Sequence, residues 1–152
     1  MPETPAAHAF ERSASSALSV AVSALLGGLA GGVAWCLIVL SFEWAATFGI
    51  VPIAFALGAF ARWQGYRQRA AIACGVVAIG VTFLYAHYLF GAVHIADAMG
   101  LPLRDTLFKA GFALTFDIAR ANMYARDWLA FALAQLAAIS SASLGARTRR
   151  SA

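Results

Sequence analysis

The chain has 152 residues, of which 62% are hydrophobic and only 12% charged, with a formal net charge of +4. A soluble domain usually carries about 25% charged residues, so this balance excludes a soluble core and points to a polytopic membrane protein with one membrane domain. The basic excess does not point to nucleic acid, because the arginines sit beside apolar runs, as they do in the cytoplasmic loops of membrane proteins.

Four stretches lack charge: Arg12 to Glu43, Glu43 to Arg62, Arg69 to Asp97, and Asp127 to Arg147. Apolar runs of ~18 or more residues can cross a ~30 Å hydrocarbon layer as helices. The predicted fold is all-α: four transmembrane helices, with an amphipathic interfacial helix between the third and fourth. The membrane domain covers residues 15–146, after a cytoplasmic lead of 1–14 and before a basic cytoplasmic tail of 147–152.

The lead opens "MPETPAAHAFER", a polar stretch with two prolines that is expected to be disordered. The apolar run after it far exceeds the ~7–15 residues of a signal-peptide core, so it reads as a retained helix over about 17–42, with Trp44 as an interfacial anchor. Ser15, Ser19, Ser23, Gly27 and Gly31 recur at four-residue spacing, and Ala24, Gly28, Gly32 and Cys36 form a second row beside them. Small residues in such rows let helix backbones approach closely, so Ser19, Ser23, Gly27, Gly28, Gly31 and Gly32 are predicted to be packing positions, inside the bundle or between copies.

The second helix is predicted over about 47–64. Pro52 sits near its start, because a deeper proline would leave a carbonyl unpaired in lipid. Arg62 would snorkel to the headgroups beside Trp63 and Tyr66. Arg62, Arg67 and Arg69, like Arg147, Arg149 and Arg150, are read as topology and lipid-headgroup residues. Both groups belong in the cytoplasm and the Glu43 loop outside, which places both termini in the cytoplasm.

The third helix, about 70–94, ends in "YAHYLFGAVHIAD". At ~1.5 Å per residue from Ala70, His87 stands about 26 Å up the helix and His94 about 36 Å, among Tyr85, Tyr88 and Phe90. Both are expected to be water-accessible members of an aromatic belt. The competing reading is a metal or haem site built from Glu43, His87, His94 and Asp97. No other span offers a histidine at matching depth, so no cofactor is expected. Cys36 and Cys74 would lie roughly 15–20 Å apart in depth, against ~4.4–6.8 Å between the Cα atoms of a disulfide, and read as small packing residues.

After a Gly100–Pro102 turn, residues 102–121 read as one amphipathic helix. Leu103, Leu107, Phe108, Gly111, Leu114 and Ile118 fall on one side, and Asp105 with Lys109 makes an i,i+4 pair. The helix is expected to lie on the outer face or to plug the bundle. The fourth span, about 127–145, opens with Asp127 as N-cap and carries a row of Ala130, Ala134, Ala138, Ala142 and Ala146, in a chain where alanine is common enough for such a row to arise by chance.

The whole chain resembles a loose group of small uncharacterised bacterial four-span membrane proteins through "GGLAGGVAW", "GAFARWQG" and "RDWLAFALAQLAAISS". Some of these carry a cysteine-rich zinc ribbon that this sequence lacks, so the resemblance implies the span count and no metal role or activity. Phosphate-cradling loops, nucleophile elbows and HExxH are missing, and no span carries an acid or base for ion coupling. The sequence therefore predicts a non-catalytic protein of the bacterial inner membrane. Its expected partners are the bilayer and either further copies of itself or a larger membrane complex. A metal- or haem-binding redox protein and a small transporter component are the alternatives.

Overall fold

Lipid cannot hydrogen-bond a backbone, so an apolar run that enters it must satisfy its own amides as a helix. The computed structural model describes residues 5–42, 45–109 and 111–144, with the side chains of 5–16 and 45–46 excluded. Among the described residues every regular element is helical. The elements are α1 (Pro5–Phe42), a 3-10 turn (Ala45–Gly49), α2 (Ile50–Trp63), α3 (Gln68–Met99), α4 (Leu103–Lys109), α5 (Phe112–Ala121) and α6 (Ala125–Leu144). Three segments are long and apolar enough to cross a membrane: Ala17–Phe42, Gln68–Met99 and Ala125–Leu144. Thr47–Trp63 is apolar but shorter.

Several boundaries differ from the sequence expectation. The lead is helical from Pro5, a residue that fits a first helical turn because its missing N–H has no partner there anyway. α3 runs on to Met99, where Gly100 (φ 63°) closes it. Leu101 N–H donates to Ala96 O and Gly100 N–H to Asp97 O, a Schellman termination followed by Pro102. The single amphipathic helix is broken in two at Gly111, whose φ of 70° and ψ of 142° suit glycine alone. Asp127 is not the N-cap of α6. It stands three residues after Tyr124 and its Oδ2 accepts the Tyr124 N–H at 2.8 Å, the backward half of a capping box.

α3 is the centre of the bundle. α1 lies along its length, α2 pairs with α6, and α2 and α6 each also touch α3. α1 and α6 occupy opposite corners, with α2 and α3 between them. The buried positions are filled by small side chains. Ala24, Ala54, Ala61, Ala71, Ala78, Ala86 and Ala92 are buried, and so is the α6 row of Ala130, Ala134, Ala138 and Ala142. Large apolar side chains point outward instead, among them Leu18, Leu25, Leu26, Leu37, Leu40, Leu129 and Leu136. Trp35, Ile50, Ile79 and Phe83 are the large buried exceptions; otherwise position is sorted by size, as expected where helices associate by close contact rather than by hiding leucines from water.

The two glycine rows of α1 serve different neighbours. A Cβ at Gly28 would meet Val81 Cβ at 2.6 Å and Ala78 O at 2.7 Å, and one at Gly32 would meet Tyr85 at 2.9 Å, so this row seats α1 on α3. Gly27 and Gly31 instead face Leu57 and Ile53 of α2 at 3.1 Å, and Gly31 also faces Thr82 Oγ1. Thr82 Oγ1 donates to Gly28 O at 3.0 Å, tying the α1–α3 seam with a buried hydrogen bond. Gly58 plays the same role between α2 and α6, against Ser141 and the Ala138 carbonyl.

Candidate functional site

The bundle has two polar ends. At the arginine end, the α2–α3 loop turns through Gly65 (φ 80°). Tyr66 Oη lies 2.9 Å from both Ser19 Oγ and Ser23 Oγ, and Ser23 Oγ donates to Gln64 Oε1 at 3.1 Å. Ser19 and Ser23 of the first row therefore latch this loop, while its glycines pack helices. Arg62 is half-buried, its Nη1 donating to Tyr66 O at 3.5 Å, whereas Arg67 and Arg69 are exposed. Arg147, Arg149 and Arg150 lie outside the described residues.

The distal end, where α1 and α3 finish and α6 begins, holds the chemistry. An aromatic cluster forms its base: Trp35 from α1, Phe83, His87 and Phe90 from α3, and Trp128 and Phe131 from α6. His87 is 5% exposed, with its ring 4.2 Å from that of Phe83 and 5.6 Å from that of Trp35. This overturns the expectation of a water-accessible interfacial histidine. Counting residues along α3 gives a height on the helix, but α1 and the start of α6 cover that height from the side.

His87 Nδ1 stands 2.9 Å from Phe83 O, and a carbonyl can only accept, so Nδ1 carries the proton. In the neutral ring Nε2 is then a lone-pair acceptor, the arrangement that fixes a histidine for ligand binding. His87 lines a cavity of about 240 Å³ together with Trp35, Phe90, His94, Asn122, Tyr124 and Asp127. The Asp127 side chain is only 14% exposed. Its carboxylate is near enough to act electrostatically on the imidazole. Arg126 stays at the rim, 63% exposed, 4.0 Å from Asp127 Oδ1 and 5.1 Å from the Tyr124 ring centre.

Of the four residues predicted as a metal or haem set, the three described ones are not brought together as a set. His94 is exposed at the rim of this cavity. Asp97 is exposed and lines a separate recess with Leu40, Val93 and Leu103. Glu43 lies outside the described residues. Among the described residues no three His, Cys, Asp or Glu side chains are grouped to hold a metal. Cys36 and Cys74 are both buried and free.

Sequence reasoning missed Asp127 as a wall of this cavity and Trp35 as part of its base. The capping role that Asp127 plays also hides it, since an acid in a first helical turn has a sufficient local explanation. It missed Gln135 as well, whose Nε2 donates to Val76 O at 3.4 Å while its Oε1 is buried without a partner.

The segment after α3 packs by its small side chains. Thr115 and Ala119 of α5 are buried, and a Cβ at Gly91 would meet Thr115 O at 2.5 Å. Phe112 stacks on Tyr88 with centroids 5.4 Å apart, yet it is 70% exposed and Phe108 is 83% exposed. The apolar side of the segment is open at Leu103, Phe108 and Leu114, while Thr106, Thr115 and Ala119 are buried. Lys109 and Asp105 form the expected i,i+4 pair at 3.3 Å.

No protein-family model, curated protein or solved structure matches this chain.

Proposed function

We propose that this chain is a non-catalytic, four-crossing protein of the bacterial inner membrane, with both termini cytoplasmic, that works as a homo-oligomeric or accessory subunit of a membrane complex. The observation that carries this reading is the sorting by size, with most of the buried positions alanine or glycine and the leucines outside. Such a surface is stable only against lipid or another apolar helix. The fourth crossing is α2 with the 3-10 turn before it. Their 14 and 5 residues rise about 21 Å and about 10 Å, which together match the ~30 Å layer. The arginines of the α2–α3 loop favour the cytoplasm for that end. The exposed Phe108 and Phe112 would then lie at the opposite headgroup boundary, where an interfacial helix rests.

Assembly is supported by an open groove between α1 and α2, lined by Ser23, Gly27, Ala30, Gly31, Ala34 and Leu57. Its small-residue wall lets another helix approach closely. The test is native electrophoresis of the gently extracted protein beside its Ala30→Trp variant. Ala30 is exposed, so tryptophan there should fill the groove without disturbing the bundle. A species of more than one chain, lost in the variant, is expected. A single chain under every mild condition, or an assembly indifferent to tryptophan, would sink the subunit reading.

A further inference from the structure

The distal cavity contains features that bundle packing alone does not require. Its base is a histidine 5% exposed, with Nδ1 committed to Phe83 O. Among the described residues the only enclosed side-chain nitrogen or oxygen without a partner is Gln135 Oε1, so His87 Nε2 opens onto the cavity. Asp127 also lines the cavity; its Oδ2 accepts the Tyr124 N–H, and its Oδ1 lies 4.0 Å from a largely solvated Arg126. The buried part thus presents two acceptors, an imidazole lone pair and a carboxylate oxygen, between aromatic walls of Trp35 and Phe90. Donors also line it, at Thr47, Asn122, His94, Tyr124 and Arg126.

Size narrows the occupant. A cavity of about 150 Å³ holds a benzene ring. At about 240 Å³ this one admits a ring with several substituents. Charge narrows it further. An anion would sit against the Asp127 carboxylate, and the grouping needed for a metal is missing among the described residues. A ligand that satisfies both acceptors is planar, largely apolar and carries two hydroxyl donors.

We propose that the cavity binds the hydroxylated aromatic ring of a quinol, with His87 Nε2 and the Asp127 carboxylate each accepting a ring hydroxyl. Trp35 and Phe90 supply the walls, and His94 stands at the mouth. The oxidised ring has carbonyl oxygens in place of hydroxyls and leaves both acceptors unpaired. The site therefore discriminates the reduced from the oxidised form by hydrogen-bond polarity.

The test uses the full chain in detergent micelles under argon, titrated calorimetrically with trimethylhydroquinone against empty micelles. One-to-one binding is expected with Kd on the order of 100 μM, a modest figure for so small a ligand. Trimethylbenzoquinone should bind about tenfold more weakly or worse, because buried acceptors are left unpaired. Asp127→Asn keeps an oxygen for the Tyr124 N–H but turns an amide donor to the cavity, and should erase most of that preference. His87→Phe should abolish binding. His94→Trp, at an exposed position, should block the mouth while leaving the fold intact, so the test survives if His87→Phe does not fold. Three results overturn the proposal: no saturable binding beyond that of micelles, equal affinity for the two oxidation states, or affinity unchanged in both Asp127→Asn and His94→Trp.

Discussion

Gly28 and Gly80 occupy helix interiors with opposite surroundings. A methyl at Gly28 would come within 2.6 Å of Val81 Cβ and 2.7 Å of the Ala78 carbonyl, whereas one at Gly80 meets nothing within 4 Å. Gly28→Ala should therefore destabilise the purified protein by about 1–3 kcal/mol, the usual scale for overpacking. Gly80→Ala should leave it unchanged or raise stability by up to about 1 kcal/mol through helix propensity. Equal thermal shifts for the two would mean that α1 is not seated on α3 as described. Gln135 gives a second residue-scale prediction. Leucine there removes an amide oxygen that is buried without a partner and one hydrogen bond of 3.4 Å. Gln135→Leu should be neutral or stabilising by about 1 kcal/mol. A loss larger than that would show that the oxygen has a partner.

At the scale of elements, α5 is held by a narrow contact. Gly91 presents bare backbone to the Thr115 carbonyl, and Gly91→Ala would place a methyl 2.5 Å from it. Amide exchange in α5 should then accelerate well before that in α1 or α3, since the bundle makes no use of this contact. Unchanged protection of α5 would contradict the packing. Much of the helical layout was legible in the sequence, because charge-free runs and four-residue rows of small side chains are local signals. The break at Gly111 was not, because the apolar period runs unbroken through it and only the backbone reveals the turn. The cavity was not legible either. Trp35, His87 and Asp127 are 92 positions apart at their extremes, and no local rule brings them together. The α6 alanine row was visible, but in so alanine-rich a chain only its burial separates it from coincidence.

For the whole molecule, the proposed topology is tested at the two ends of α3. α2 ends and α3 begins at the arginine end, while α3 ends and α6 begins at the other. An enzymatic reporter fused after Gln68 should read cytoplasmic, and one after Met99 should read periplasmic. Cytoplasmic readings at both sites would reduce α3 to a helix that fails to cross and would overturn the proposed topology.

The pairing of α2 with α6 carries a consequence for the order in which the protein is made. α1 and α3 can meet while the chain is still emerging, because both precede residue 100. α2 is the shortest apolar helix of the bundle, yet its main partner emerges last, roughly eighty residues later. At about 5–20 residues per second, α2 waits on the order of 4–16 s for it. During that interval Gly58 lacks the Ser141 side chain and Ala138 carbonyl that it packs against in the finished bundle. A ribosome stalled before Ala125 would leave α2 without the surface it is shaped to fit.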